Sequence, residues 1–260
     1  MSPTSIRDLS IFLENDIKSD PDRWLPKITY INHKETLGDL VDFFPGVRPE
    51  DMINGEAWAL ERITLTTHNG THLDAPYHYG SKMKDGSPAM TIDDVPLEWC
   101  FKPAVKLDFR GKADGYVVTA KDIKDELDRI EHVLAPLEIV LMNTRAGSCY
   151  GTDQYVNSGC GFGREATLFL VKNGVRVTGT DAWSWDAPFF HTEQKYRETK
   201  EPSIIWEGHK AGLDIPYCHL EKLHNLESLP DKGFLVSCFP TKIKGGSAGW
   251  TRAVAIIDEG

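Results

Sequence analysis

His68, His72, Asp74 and His78 fall within eleven positions, in the run His68-Asn69-Gly70-Thr71-His72-Leu73-Asp74-Ala75-Pro76-Tyr77-His78. Neutral imidazole and carboxylate are good ligands for a divalent cation, so the chemistry open to this run is metal binding and metal-assisted reaction. Counted from His68, the offsets are four, six and ten residues, all even. Residues of one parity share a face of an extended backbone, so all four side chains would point the same way. Asn69-Gly70 favours a turn and Pro76 blocks a helical ladder, which predicts a strand running into an ordered loop. Asn69-Gly70 is also a common hairpin dipeptide, but a turn does not explain four ligand-type residues of one parity. Asn69-Gly70-Thr71 is formally an N-glycosylation acceptor, with no secretory route to make it one.

The chain that must hold these residues has 260 residues, 40% hydrophobic and 26% charged, enough for one sizeable core. A net charge of -10 argues against a nucleic-acid or anionic-membrane surface. Residues Met1 to Asp20 lack a basic region followed by an apolar core, and no apolar run reaches the roughly twenty residues that span a bilayer. Five scattered cysteines, Cys100, Cys149, Cys160, Cys218 and Cys238, predict free thiols in a reducing, cytoplasmic compartment. Cys160, flanked by glycines, is expected to be buried rather than reactive.

Residues 4–18 read as an amphipathic helix through Ile6, Leu9, Leu13 and Ile17. Strands are expected at Lys27 to Ile31 and at Arg62 to Thr67, the latter delivering His68, with a loop through Phe43-Phe44-Pro45-Gly46 between them. A polar loop follows from Gly80 to Pro88. Ala104 to Phe109 and Gly115 to Thr119 read as strands. Thr119 caps a helix through Leu134, with Asp122 at the capping-box position and Ile123, Leu127, Ile130 and Leu134 as its apolar stripe. A strand at Glu138 to Met142, a helix from Arg164 to Val171 ended by Asn173-Gly174, and strands at Val175 to Gly179, Gly233 to Phe239 and Ala253 to Asp258 complete the pattern. Strands interleaved with helices indicate an α/β fold, with no boundary that would divide it into two domains.

Partners for the motif come from the remaining histidines, His33, His132, His191, His209, His219 and His224. His132 lies among charges, which predicts a solvated side chain. His191 follows the aromatic run 183–190, either core or pocket wall. Gly208 precedes His209, and Glu221 follows twelve residues later with Asp214 and His219 between. Spacing does not choose among these.

The pattern HxGTHxDAPxH, present as His68, Gly70, Thr71, His72, Asp74, Ala75, Pro76 and His78, resembles the highly specific signature of the cyclase family of metal-dependent hydrolases. That family includes bacterial kynurenine formamidases and isatin hydrolases. Phe44-Pro45-Gly46, Gly179-Thr180-Asp181-Ala182-Trp183-Ser184, and Lys242 to Ser247 through Arg252 are similar to further family segments, so the likeness runs roughly from residue 27 to the end. The implied fold is a single domain with a mixed sheet and flanking helices, of the family's swivelling β/α/β type. The resemblance implies that His68, His72 and Asp74 bind one ion. Asp74 and Glu221 would bridge to a second, weaker position held by His209, and His78 would shuttle protons. Zinc or manganese, one or two ions per chain, suits the donors. Ala248-Gly249-Trp250-Thr251 and Trp183-Ser184-Trp185 depart from the family pattern and leave the substrate open.

A divalent ion lowers the pKa of bound water to about 7 and polarises a carbonyl, and a nearby imidazole can carry the proton. The expectation is hydrolysis of an amide, lactam or ester in a small aromatic or cyclic molecule. A metal-assisted cyclase or lyase is the second reading and a non-catalytic metal-dependent binding protein the third; retention of His78 favours an enzyme. No nucleophile elbow, P-loop or dinucleotide fingerprint appears. A homodimer or homotetramer is expected, from the aromatic run 183–190, the N-terminal helix and the family resemblance.

Overall fold

The computed structural model describes residues 4–258 and Gly260. In chain order the elements are β1 (Thr4–Asp8), β2 (Lys27–Ile31), α1 (Leu37–Phe43), β3 (Leu60–Thr64), β4 (His72–Asp74) and α2 (Pro76–Tyr79). Then come β5 (Phe101–Asp108), β6 (Val117–Val118), α3 (Ala120–Arg129), β7 (Ile139–Asn143), β8 (Gly161–Phe162), α4 (Arg164–Lys172) and β9 (Val177–Thr180). The last are α5 (Phe189–Thr199), α6 (Glu207–Ala211), β10 (Cys218–Glu221), β11 (Lys232–Ser237), β12 (Ala248–Trp250) and β13 (Val254–Asp258).

Nine strands form one mixed sheet in the order β1-β13-β11-β5-β7-β9-β10-β4-β12. Its centre, β5-β7-β9-β10, is parallel, and antiparallel strands continue it on both sides. Parallel neighbours need crossovers, which α3 and α4 help supply. Helix α3 starts where expected: Thr119 accepts from the Asp122 amide while the Asp122 carboxylate accepts from the Thr119 amide, a complete capping box. Its buried Ile123 and Leu127 meet Val105, Leu107, Val140, Met142 and Leu170 in the core on one face of the sheet. Ile139 and Leu141, of opposite parity in β7, enter the core on the other face with Leu73, Cys218 and Leu220. This alternation decides where the site lies. Leu73 and Leu220 fill one face, so His72, Asp74, His219 and Glu221 project from the other.

Several expectations are overturned. Thr4–Asp8 is a strand paired with β13, not part of a helix over 4–18; Leu9 is fully buried while Ile6 is exposed, so the apolar spacing there is not a helical stripe. Pairing with a strand some 250 residues away satisfied backbone groups that local periodicity assigned to a helix. Phe43 closes a helix instead of lying in a loop. Helix α3 stops at Arg129, five residues short of Leu134, and Glu131 takes a positive φ of 50° just beyond. His132 is not solvated: its Nε2 lies 2.9 Å from the buried Glu138 carboxylate. Strand β3 ends at Thr64 and pairs with β2 in a separate two-stranded arm, so it does not run into His68. The aromatic run 183–190 is exposed at Phe189 and Phe190, whereas Trp185 is fully buried. Among the described residues, no helix is long and apolar enough to cross a membrane.

Candidate metal centre

The site forms where the parallel centre of the sheet gives way to antiparallel pairing, between β10 and β4. His219 lies opposite Asp74 in register, and Glu221 opposite His72. Four polar side chains from two strands thus form a two-by-two patch on one face. The shared parity of His72 and Asp74 is the strand geometry expected. His68 and His78 reach the patch by other means. A turn over residues 67–70, with Gly70 at φ 63°, brings in His68, and α2, which tolerates Pro76 at its first position, brings in His78. His209 arrives on α6, whose Gly208 is packed so tightly that a Cβ would stand 2.2 Å from the Phe162 carbonyl.

All six residues named for the site by sequence are brought together. His68 Nδ1 is 3.0 Å and His72 Nε2 3.2 Å from Asp74 Oδ1, and His78 Nε2 is 3.7 Å from Asp74 Oδ2. His209 Nε2 lies 3.6 Å from Glu221 Oε1, and His72 Nε2 3.6 Å from Glu221 Oε2. Three rings are oriented from behind. His68 Nε2 meets Ser247 Oγ at 3.1 Å, His72 Nδ1 meets the Gly70 carbonyl at 2.9 Å, and His209 Nδ1 meets Asp186 at 2.5 Å. The Gly70 carbonyl and the Asp186 carboxylate can only accept, so each takes the proton of one nitrogen and leaves the other's lone pair facing the carboxylates. His78 has no such hydrogen-bond partner among the described residues; besides Asp74, its ring lies against neighbouring rings, with Trp206 at 5.0 Å and His68 at 4.0 Å.

Burial opposes ionisation of Asp74, but the surrounding histidines hold its carboxyl well below the usual carboxylate range. Glu221 is likewise resisted by burial and brought down to about 2, chiefly by His219. Burial drives His78 down to about 3 despite Asp74, so its ring is neutral at pH 7. Lys222, next to Glu221, turns its ammonium away, to Asp20 and to the His68 carbonyl at 2.7 Å. Two buried carboxylates therefore face one another's histidines without a lysine or arginine. His72 Nε2 and both carboxylate oxygens of Asp74 are buried with no hydrogen-bond partner. Such orphans cost about 1–3 kcal/mol each. A divalent cation among them satisfies all three, and the imidazole and carboxylate donors suit one.

The family model described as "Putative cyclase" matches residues 7–187, more than half of the chain. The chain belongs to the cyclase family. Kynurenine formamidase of Erythrobacter litoralis is 28% identical over 206 residues, covering 78% of this chain and 79% of that one. Kynurenine formamidase of Salinibacter ruber is 29% identical over 199 residues, covering 75% and 78%. Among solved structures, isatin hydrolase A from Labrenzia aggregata, bound to benzyl benzoate, superimposes with a TM-score of 0.72 at 22% identity, covering 98% of this chain and 94% of that one. His209 and Glu221 lie beyond the span of the family model, so their place in this cyclase-family chain rests on the geometry above.

Sequence spacing left His219 undecided among the late histidines. Its ring is fully buried, with Nε2 3.2 Å from Asp74 Oδ2 and 3.3 Å from Glu221 Oε1. The one available signal was its parity with Glu221, and that needed β10 to be recognised as a strand. His191 and His224 stay outside; His191 meets the Asn157 carbonyl at 3.2 Å, and the His224 side chain is exposed. Asp214 pairs with Arg164 at 2.5 Å instead of joining the site. A cavity of about 320 Å³ opens over the cluster, walled by Trp24, Trp183, Phe189 and Trp206 beside His68 and His78. The Cys160 thiol is buried and pushed up to about 12 by that burial, which makes it unreactive.

Proposed function

We propose that this chain is a metal-dependent hydrolase acting on an amide, lactam or ester bond, principally a non-peptide carbon–nitrogen bond, in a small aromatic or cyclic substrate. One observation carries the reading: buried histidine nitrogens and two carboxylates converge, with orphaned lone pairs, at the floor of an aromatic-walled cavity. His68, His72, Asp74, His209 and Glu221 would hold zinc or manganese, both suited to nitrogen and oxygen donors. When bound, a divalent ion activates water and polarises the scissile carbonyl. Trp24, Trp183, Phe189 and Trp206 give an aromatic ring flat surfaces to lie against. His78, without a fixing hydrogen bond and set against Trp206 and His68, would take the proton from the attacking water and return it to the leaving nitrogen or oxygen. The names of the formamidase and isatin hydrolase relatives support this bond type.

We propose a homodimer or homotetramer as the working form. Support comes from the β2–α1–β3 arm, where Tyr30, Val41, Phe43, Phe44, Ile53 and Ile63 are all exposed. Five buried free thiols fit a cytoplasmic home. Elemental analysis joined to a screen of aryl formamides, isatin-like lactams and lactones, with and without chelator, tests the activity. The expected result is bound metal and turnover that chelation abolishes. Turnover that survives complete metal removal would overturn the proposal.

A further inference from the structure

His219 adds a sixth donor to the five that the signature and its partners supply. Its ligand atom and those of Asp74, His209 and Glu221 all lie within 4.8 Å of one another, and all four residues are buried. The back of the ring shows which nitrogen is bare. Nδ1 lies 3.1 Å from the Tyr79 hydroxyl and 3.2 Å from the Tyr217 hydroxyl. Each hydroxyl has a single proton, and each has a carbonyl to give it to: Gly208 at 3.1 Å for Tyr217, and Asp74 at 3.4 Å for Tyr79. Both phenol oxygens then present lone pairs to Nδ1, which carries the ring proton. At the front, Nε2 stands 3.2 Å from Asp74 Oδ2 and 3.3 Å from Glu221 Oε1 and makes a hydrogen bond to neither. With the ring proton on Nδ1, an unprotonated Nε2 crowded against two buried carboxylates is a repulsive arrangement, and a cation shared among the three makes it attractive. The rings of Tyr79 and Trp185 lie nearly parallel to His219 at 5.2 and 5.8 Å and fix its plane.

We propose that His219 is a metal ligand, forming with Asp74, His209 and Glu221 a closed four-donor position that fills first and empties last. The position on the His68 side is then the exchangeable one, since the side chains of His68 and His78 are 27% and 21% exposed. Four protein ligands with no open corner are the pattern of permanently held ions, and an open corner is that of reactive ones. This rests on the metal-dependent reading of the site and reverses the order of affinity implied by the family resemblance.

The test is zinc titration of the metal-stripped chain against a chromophoric chelator, with elemental analysis after dialysis. Wild type is expected to show two affinity classes and to keep the tighter equivalent through dialysis. His219→Gln and His219→Phe are expected to weaken the tight class by roughly a hundredfold or more, one ligand's share of a four-ligand site. Phe preserves the ring stack without the nitrogen, so tight binding retained by His219→Phe overturns the proposal. His68→Gln is expected to lose only the weaker class; loss of the tight class there, with wild type binding two ions, also overturns it, and does not depend on how the His219 variants fold. A wild-type chain that takes up no zinc overturns the metal reading itself and this inference with it.

Discussion

Asp186 organises His209 without approaching the other ligands, and its replacement separates orientation from ligation. The carboxylate is 5% exposed and accepts three hydrogen bonds, from the Gly208 amide at 2.8 Å, the His209 amide at 2.9 Å and His209 Nδ1 at 2.5 Å. In Asp186→Ala all three donors are left buried without an acceptor. At about 1–3 kcal/mol each, reduced by relaxation and by water entering from the cavity, the expected loss of stability is about 3–6 kcal/mol. His209 is then free to turn or to carry its proton on Nε2, and metal affinity should fall by about 10–100-fold. Asp186→Asn behaves differently. With its oxygen toward His209 and its amide toward Gly208, it forfeits one donor, about 1–3 kcal/mol, and keeps the ring oriented. Its metal affinity should fall by less than about tenfold. Urea unfolding of the metal-free chain measures the first quantity and zinc competition the second. An Ala variant that binds zinc as tightly as wild type would show that Asp186 does not set the orientation of His209.

His72→Ala should lose bound metal, read by elemental analysis; unchanged stoichiometry with intact activity would remove His72 from the ligand set. Replacing His78 with Gln should lower kcat by about 10²–10⁴-fold while bound metal is largely retained; metal leaving with the imidazole would make His78 a ligand, and wild-type turnover would end its role as shuttle. Asp181 gives a pH dependence of stability. Burial raises its carboxyl to about 7, against hydrogen bonds from the Thr144 amide and hydroxyl that favour the ionised form. A carboxyl that binds its proton more tightly folded than unfolded contributes stability that is full below about pH 4 and is lost as pH rises through about 7, on the order of 4 kcal/mol in all. Asp181→Asn should remove that slope from urea unfolding of the metal-free chain, and a wild-type-minus-variant difference that stays flat from about pH 4 to 7.5 would contradict it.

Some elements are legible without the fold because their causes are local. The capping box of Thr119 and Asp122, the apolar stripe of α3 and the Asn173-Gly174 stop after α4 lie within a few residues of the structure they specify. The strand segments 104–108, 139–142 and 177–179 declare themselves by β-branched and apolar runs that two cores cover. The donor types at 68, 72, 74 and 78 are set by the sequence outright, since imidazole and carboxylate bring their chemistry wherever they fold. Tertiary structure decided the rest. Thr4–Asp8 is a strand because β13, at the far end of the chain, offers it a backbone partner. His68 and His78 meet Asp74 through a turn and a short helix rather than along one extended face. The parity His219 shares with Glu221 has meaning only once β10 is a strand; it joins the site because β10 pairs with β4 in the register that sets it opposite Asp74. Pairing between strands about 145 residues apart is chosen by burial of Leu73 and Leu220 on the opposite face, a free energy that exists only once both strands are packed.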